Sequence, residues 1–380
     1  MKVAIVHDWL IGGGAEQVVL GLHRMFPKAT VYTSYTTEEW RKKLDGKVVT
    51  GYLQNWPFSK LRKFIPFLRG WWFSRLNLDD YDLVISSSGA EAKFVKTKPG
   101  VKHIAYIHAP THYYWDRYEQ YLRHPGFGAF DWLARLGLKA LVGPMRRWDF
   151  KAAQRPDYLI ANSNFTKQQI KKYYGRNSVV IHPPVDTEKF KILNPDKKLL
   201  DLSSNFNGAG QSRGQRKGFV IAGRQTPYKR FDLAIAACTE LNLPLTVIGD
   251  GPDHKKLRKM AGPTIKFTGH IPTGEVIKHF QHAEAFIFPG LDDFGVVAVE
   301  AMAAGCPVVA YKAGGALDYV RHGKTGVFFD RPTVDSLVAA VTSIKNTEFN
   351  SKYIANQAQK YSEDNFQQKT KTFLAKTLNK

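Results

Sequence analysis

At 380 residues and 43% hydrophobic, the chain can bury the cores of two domains, which excludes a disordered or fibrous protein. No run of eighteen apolar residues occurs and the opening MKVAIVHDW reads as a short strand, so neither a membrane span nor a secretory leader is expected; Cys238 and Cys306, both in apolar surroundings, fit packing in a reducing, cytoplasmic compartment. The net charge of +22 points to an anionic partner, whether nucleic acid, an anionic membrane surface or a phosphorylated substrate, and by itself does not choose among them.

The first predicted strand, residues 2–7 (KVAIVH), leads into Gly12, Gly13 and Gly14 and a helix whose Val18, Val19, Leu20, Leu22 and Met25 suit packing on a sheet. A glycine turn between a strand and a helix N-terminus lets a ligand approach the backbone, and it is the anion position of Rossmann-like halves. The spacing does not give G-x-G-x-x-G with an acid about twenty residues on, which argues against a dehydrogenase. Residues 55–76 (NWPFSKLRKFIPFLRGWWFSRL) interleave aromatics with Lys60, Arg62, Lys63, Arg69 and Arg75 and contain no acid. Such a stretch suits the headgroup layer of an anionic membrane; the alternative is a helix–turn–helix with a solvated basic face and its aromatics in the core. No nucleic-acid-binding motif accompanies the charge, and no nucleic acid is expected as partner. Strands at 29–35, 82–88, 102–110, 156–163 and 178–186 alternate with helices, the pattern of a parallel sheet covered on both faces, with ligands at the carboxyl ends of its strands. His108 stands at such an end, just before Pro110 and the cluster His112, Tyr113, Tyr114 and Trp115.

The first domain is expected to span 1–187. Residues 188–217 read as an interdomain linker whose 201–217 stretch, nearly devoid of apolar residues, is a mobile loop. A second domain over 218–359 opens with the strand 218–223, and Arg224 and Lys229 then bracket a turn into a helix. Two cations and free backbone N–H groups converge there, an arrangement that holds a diphosphate without a metal. Gly249 follows the strand that starts at Leu245, and a strand-like stretch from 265 ends on His270 and Ile271. The stretch 288–305, FPGLDDFGVVAVEAMAAG, reads as a loop and then an all-apolar helix from about Phe294 to Gly305. Glu300 is that helix's one charge and shares a face with Val296, Val299 and Ala303. A buried carboxylate without a partner costs several kcal/mol, so Glu300 needs one, in the protein or in a ligand. Asp292 lies in the loop before it, near the helix N-terminus, where N–H groups and the helix dipole favour anions.

Taken together, these stretches resemble the retaining glycosyltransferases of family 4, which have the GT-B fold: two Rossmann-like α/β domains with parallel sheets facing across an interdomain cleft. The resemblance rests on the two acids with seven residues between them, on G-R-x4-K at 223–229, on YIHAPTHYYWD at 106–116, on HPPVD at 182–186 and on the glycine loop followed by Ala15-Glu16. Within it the 106–116 segment is similar to that of bacterial GDP-mannose-dependent mannosyltransferases. The resemblance implies that Arg224 and Lys229 clamp the donor diphosphate, that Glu300 holds the ribose and that Asp292 holds the sugar. It implies that His108 touches the transferred sugar, and that backbone groups at His270 and Ile271 read the base. Gly13, Gly14, Gly223, Gly249, Phe294, Gly295 and Val296 are implied to line the donor site, and the terminal helix, about 360–380, to pack back on the first domain. Three positions depart from the family pattern: Asp292 stands where Glu is usual, Ala109 where Thr is usual and His112 where Arg is usual. The implied reaction moves a hexose, mannose from GDP-mannose foremost, from a nucleotide diphosphate sugar to a glycan or lipid-linked acceptor at the inner face of the cell membrane. Retention by same-face attack is implied, with no cofactor and no metal. A UDP-hexose donor, a GT-B sugar-nucleotide epimerase and a basic nucleic-acid-binding protein are the alternatives.

Overall fold

Short apolar strands joined by helices build two sheets, and every neighbouring pair of strands in both runs parallel. The computed structural model describes residues 1–61, 65–123, 125, 128–192 and 216–378. The predicted 201–217 loop, apart from Arg216 and Lys217, lies outside the described residues, as do Arg62, Lys63 and Phe64 of the basic aromatic stretch.

The chain divides into one unit of Met1–Pro184 with Glu363–Lys380 and a second of Val185–Ser362. In the first, β1 (Val3–His7), β2 (Thr30–Thr33), β3 (Val48–Thr50), β4 (Leu83–Ser88), β5 (Lys102–Ile107), β6 (Tyr158–Ala161) and β7 (Val179–Val180) lie in the order β3-β2-β1-β4-β5-β6-β7. In the second, β8 (Phe219–Ala222), β9 (Leu245–Ile248), β10 (Ile265–Gly269), β11 (Ala285–Phe288), β12 (Val308–Tyr311) and β13 (Gly326–Phe329) lie in the order β10-β9-β8-β11-β12-β13. Strand order reverses between β1 and β4 in one sheet and between β8 and β11 in the other. The loops leaving those strands diverge to opposite faces, which opens a crevice at their carboxyl ends.

The central strands β1, β4, β8 and β11 are buried at every position, because helices cover both faces. Two strands that periodicity misses, β3 and β13, have three and four residues, too few to display a pattern. The nine-residue strand predicted at 178–186 shrinks to the two residues of β7, since Pro183 and Pro184 bring no N–H to a ladder. The helix expected from Phe294 starts at Val296: Gly295 takes a left-handed φ of +89° and turns the chain immediately before it. The Glu363–Leu378 helix packs on Gly14–Met25, where a Cβ at Gly21 would lie 2.9 Å from the Phe366 ring. Both cysteines are buried. Among the described residues no helix is long and apolar enough to cross a membrane.

Part of the 55–76 stretch belongs to the interior. The Pro66–Phe73 helix buries Arg69, Trp72 and Phe73, while Trp56, Phe67 and Trp71 stay exposed. Arg69 Nε donates to Glu91 Oε2 at 2.6 Å, and the guanidinium lies 4.6 Å from the centre of the Trp9 ring. A second buried pair, Lys93 with Asp149 at 2.7 Å, is fully enclosed, and Asp149 also accepts from Thr111, Trp115 Nε1 and Tyr174. These bonds fix the segment that follows His108. Breaking a buried pair leaves an uncompensated charge, so Asp149→Ala is expected to destabilise the protein by about 3–5 kcal/mol. Exposed Asp79→Ala should stay within about 0.5 kcal/mol of the parent; equal melting temperatures for the two variants would refute this account.

Candidate functional site

In the second unit, the turn after β8 and the loop after β11 meet at the carboxyl edge of the sheet. Gly223 follows β8, and its carbonyl lies so near Gly249 that a Cβ there would be 2.2 Å from the oxygen; Gly249 also has φ +103°. Only glycine fits that approach, which brings the loops after β8 and β9 together. Gln225, fully buried, ties them further: its Nε2 donates to the Gly249 carbonyl at 2.7 Å, and its Oε1 lies 2.9 Å from His254 Nδ1. Sequence spacing gave no sign of Gln225, because a lone Gln in a turn looks solvated.

Lys229, on the short 3₁₀ turn Pro227–Lys229, reaches across to the loop after β11. Its Nζ donates to Asp292 Oδ2 at 2.7 Å, and both side chains are 18% exposed. Arg224 is exposed, and among the described residues no hydrogen bond or ion pair holds its guanidinium. Arg230, its cationic neighbour, folds onto Asp232 at 3.0 Å. The Val296–Ala303 helix begins beside this pair, with Phe294 buried beneath it and Val296 half-buried. A Cβ at Gly295 would lie 2.7 Å from Tyr319 Oη. That hydroxyl is buried and has no hydrogen-bond partner among the described residues. Burial, with the Asp292 charge second, drives the Tyr319 phenol well above its ordinary range. Tyr319 follows Gly314 and Gly315, and those glycines were its only trace in the sequence.

Glu300 lies one turn into the same helix, half-buried, and among the described residues no hydrogen bond or ion pair reaches its carboxylate. Burial, then the Asp186 charge, pushes it up to about 7, against a smaller opposing pull from Lys189. His270 is exposed and Ile271 half-buried at the end of β10, whose Gly269 carbonyl accepts from Gly249 N–H at 2.8 Å. Arg224, Lys229, Asp292 and the Val296–Ala303 N-terminus therefore border the reversal between β8 and β11, with Gly249 and His270 on its β9–β10 side.

In the first unit, His108 follows β5. Its Nε2 lies 2.8 Å from Ser87 Oγ, and Nδ1 has no partner among the described residues. The same Ser87 binds His7 Nδ1 through its carbonyl at 2.8 Å, and the two imidazoles stand edge to face at 6.0 Å. Burial, reinforced by His7, lowers His108 to about 3, so the ring is neutral at ordinary pH. His7 and Ser87 occupy the carboxyl ends of β1 and β4, so the strand-end rule that singled out His108 also applies to them. Gly13 and Gly14 open the Gly14–Met25 helix, but buried Glu16 reaches back to accept from Gly12 N–H at 3.1 Å. The glycine loop thus already holds a carboxylate at its helix N-terminus.

Glu300 is protonated more readily in the folded chain than in the unfolded one. Its contribution to stability is present below about pH 4.5 and lost as pH rises through about 7. Glu300→Gln is therefore expected to raise stability above pH 7 by on the order of 1–3 kcal/mol and to change nothing near pH 4. Melting curves of both proteins across this range check it, and a difference independent of pH would sink it.

Comparison with known proteins reaches both units. Residues 12–189 match the family described as Glycosyltransferase Family 4, and residues 205–361 the family described as Glycosyl transferases group 1. The GDP-mannose-dependent alpha-(1-6)-phosphatidylinositol monomannoside mannosyltransferase of Mycolicibacterium smegmatis is 33% identical over 199 residues, 47% of this chain and 50% of that protein. Its namesake from Mycobacterium tuberculosis is 30% identical over 203 residues, 48% and 51% of the two chains. The chain spans about half the length of these curated relatives. HepE of Anabaena, solved with UDP, has the same GT-B fold, with a TM-score of 0.69 at 18% identity over 99% of this chain and 100% of that one. Sucrose-phosphate synthase of Thermosynechococcus elongatus gives 0.69 at 15% identity over 100% of both.

Proposed function

We propose that this chain, which belongs to the group 1 glycosyltransferases of family 4, transfers a hexose from a nucleotide diphosphate sugar to a glycan or lipid-linked acceptor with retention of configuration. One observation carries the proposal. Lys229, Asp292 and the Val296–Ala303 N-terminus gather at one sheet edge, and Glu300, one turn further along that helix, has no hydrogen bond or ion pair among the described residues. The first three suit a diphosphate and its sugar, and the last suits a pair of ribose hydroxyls.

In this reading Arg224, Lys229 and the helix N-terminus take up the charge that grows on the departing diphosphate, and no metal is assigned that task. The bond from the anomeric carbon to the diphosphate oxygen breaks. The acceptor oxygen bonds to the same face, and its proton passes to the released phosphate oxygen. Asp292 orients the sugar hydroxyls while remaining the counter-ion of Lys229. His108, held neutral, offers the transferred sugar a polar contact without adding positive charge beside an oxocarbenium-like centre. Mannose from GDP-mannose is the proposed donor, on the strength of the mycobacterial mannosyltransferases, whose acceptor is a phosphatidylinositol monomannoside by name. A UDP-hexose is the second reading, because HepE was solved with UDP-glucose. An anionic membrane surface is proposed as a further partner, met by exposed Trp56, Phe67 and Trp71 of the 55–76 stretch, with the protein peripheral at the inner face.

Thermal stabilisation by GDP-mannose and by UDP-glucose, measured without added metal, separates the donors, because ligand that binds only the folded state raises the melting temperature. GDP-mannose is expected to give the larger shift, and Glu300→Ala and Lys229→Ala to abolish it. A larger shift with UDP-glucose would replace the donor, and no shift with either would remove the function.

Ribose hydroxyls donate to an ionised carboxylate, so GDP-mannose should bind about tenfold more weakly at pH 6 than at pH 8. Glu300→Gln should bind weakly at both values, and equal wild-type affinities would separate Glu300 from the ribose.

A further inference from the structure

The exposed apolar residues of the first unit concentrate on one element, the Asp131–Gln154 helix. Its inner face buries Met145, Asp149, Ala152 and Ala153. On the outside, Trp132 is 63% exposed, Leu133 51% and Leu136 60%. At about 100° per residue Leu136 lies opposite Met145, and Trp132, Leu133, Leu136 and Ala140 fall within an arc of about 100°. Lys139, Arg147 and Lys151, all exposed, flank that stripe. Of the helix's two acids, Asp149 is buried on Lys93 and Asp131 lies 4.0 Å from Arg135, so the outward face is apolar and cationic.

The neighbouring element repeats this chemistry. The Pro66–Phe73 helix approaches the same helix closely: a Cβ at Gly70 would lie 3.1 Å from the Trp148 ring. Its Phe67 and Trp71 are 47% and 42% exposed, and the Arg75 guanidinium sits 4.2 Å from the Trp71 ring centre. Large apolar side chains with cations at their margins match a layer in which acyl chains lie beneath phosphate groups. A second copy of the chain is a poor occupant, since it would bring one +22 protein against another.

We infer that the outward face of the Asp131–Gln154 helix docks on an anionic phospholipid surface, with Trp132, Leu133 and Leu136 entering the headgroup boundary and Lys139 and Arg147 meeting phosphates. The inference goes beyond the donor reading, since neither donor nor acceptor enters it. It adds to the 55–76 stretch a second lipid contact that the sequence did not single out.

Flotation of the full chain with vesicles tests it, using phosphatidylcholine alone or mixed with phosphatidylglycerol. Binding is expected only to the mixed vesicles and should weaken markedly at about 0.5 M salt. Trp132→Ser with Leu136→Ser should lower partitioning about tenfold or more, and Lys139→Glu with Arg147→Glu should do the same. Both variants should keep the parent melting temperature and its shift with nucleotide sugar, which separates lost docking from lost folding. Wild-type protein that ignores mixed vesicles, or variants that float like the wild type, would overturn the inference. So would a wild-type dimer that either variant turns into a monomer, because the stripe would then be a contact between copies.

Discussion

The ion pair between Lys229 and Asp292 joins the two loops that flank the strand reversal of the second sheet, and the rest of that site is arranged around it. Without Asp292, the spot would hold Lys229, nearby Arg224 and the positive end of a helix dipole, with nothing to keep them together. With it, a cation stands ready at 2.7 Å from its counter-ion, part-buried and so only partly screened. In the proposed reading, a diphosphate would add negative charge to a cluster whose excess is still positive. The pair orients Lys229, and the glycine contact between residues 223 and 249 gives the loop beneath it a rigid base.

How much of this was legible follows from what kind of information spacing carries. In a parallel sheet, the residue after a strand is a position in space as well as in sequence, so Arg224, Lys229, Gly249 and His108 are placed near strand ends by sequence position alone. Which side chains then touch was not legible. Lys229 and Asp292 are 63 residues apart, and sequence reading gave them separate roles, diphosphate and sugar, with no hint that each is the other's partner. Gln225 and Tyr319 stayed invisible for a related reason. A buried amide that braces two turns, and a phenol lodged against a glycine, are defined by neighbours from distant segments.

The basic aromatic stretch shows the same limit from the other side. Arg69 and Arg75 sit six residues apart in a segment of uniform composition, yet one is buried on Glu91 and the other lies against exposed Trp71. Composition could not separate them, because the deciding residue, Glu91, belongs to another element. The Asp131–Gln154 helix was passed over for the converse reason. Its leucines look like ordinary core positions until it is known which of its faces is covered.

The carboxylates themselves separate architecture from site. Asp8, buried at the end of β1, accepts three backbone N–H bonds, from Gly89, Ala90 and Ala92, at 2.7 to 2.9 Å. Glu16 closes on its own glycine loop, Glu91 on Arg69 and Asp149 on Lys93. Each of these negative charges is answered from within the protein, as burial requires. Glu300 sits on an apolar helix at a raised proton affinity, and among the described residues no hydrogen bond or ion pair gives it such an answer. A chain able to pair four carboxylates had the means to pair a fifth or to replace it with an apolar residue. The economical explanation for an unanswered acid in that position is that its donors arrive with a ligand.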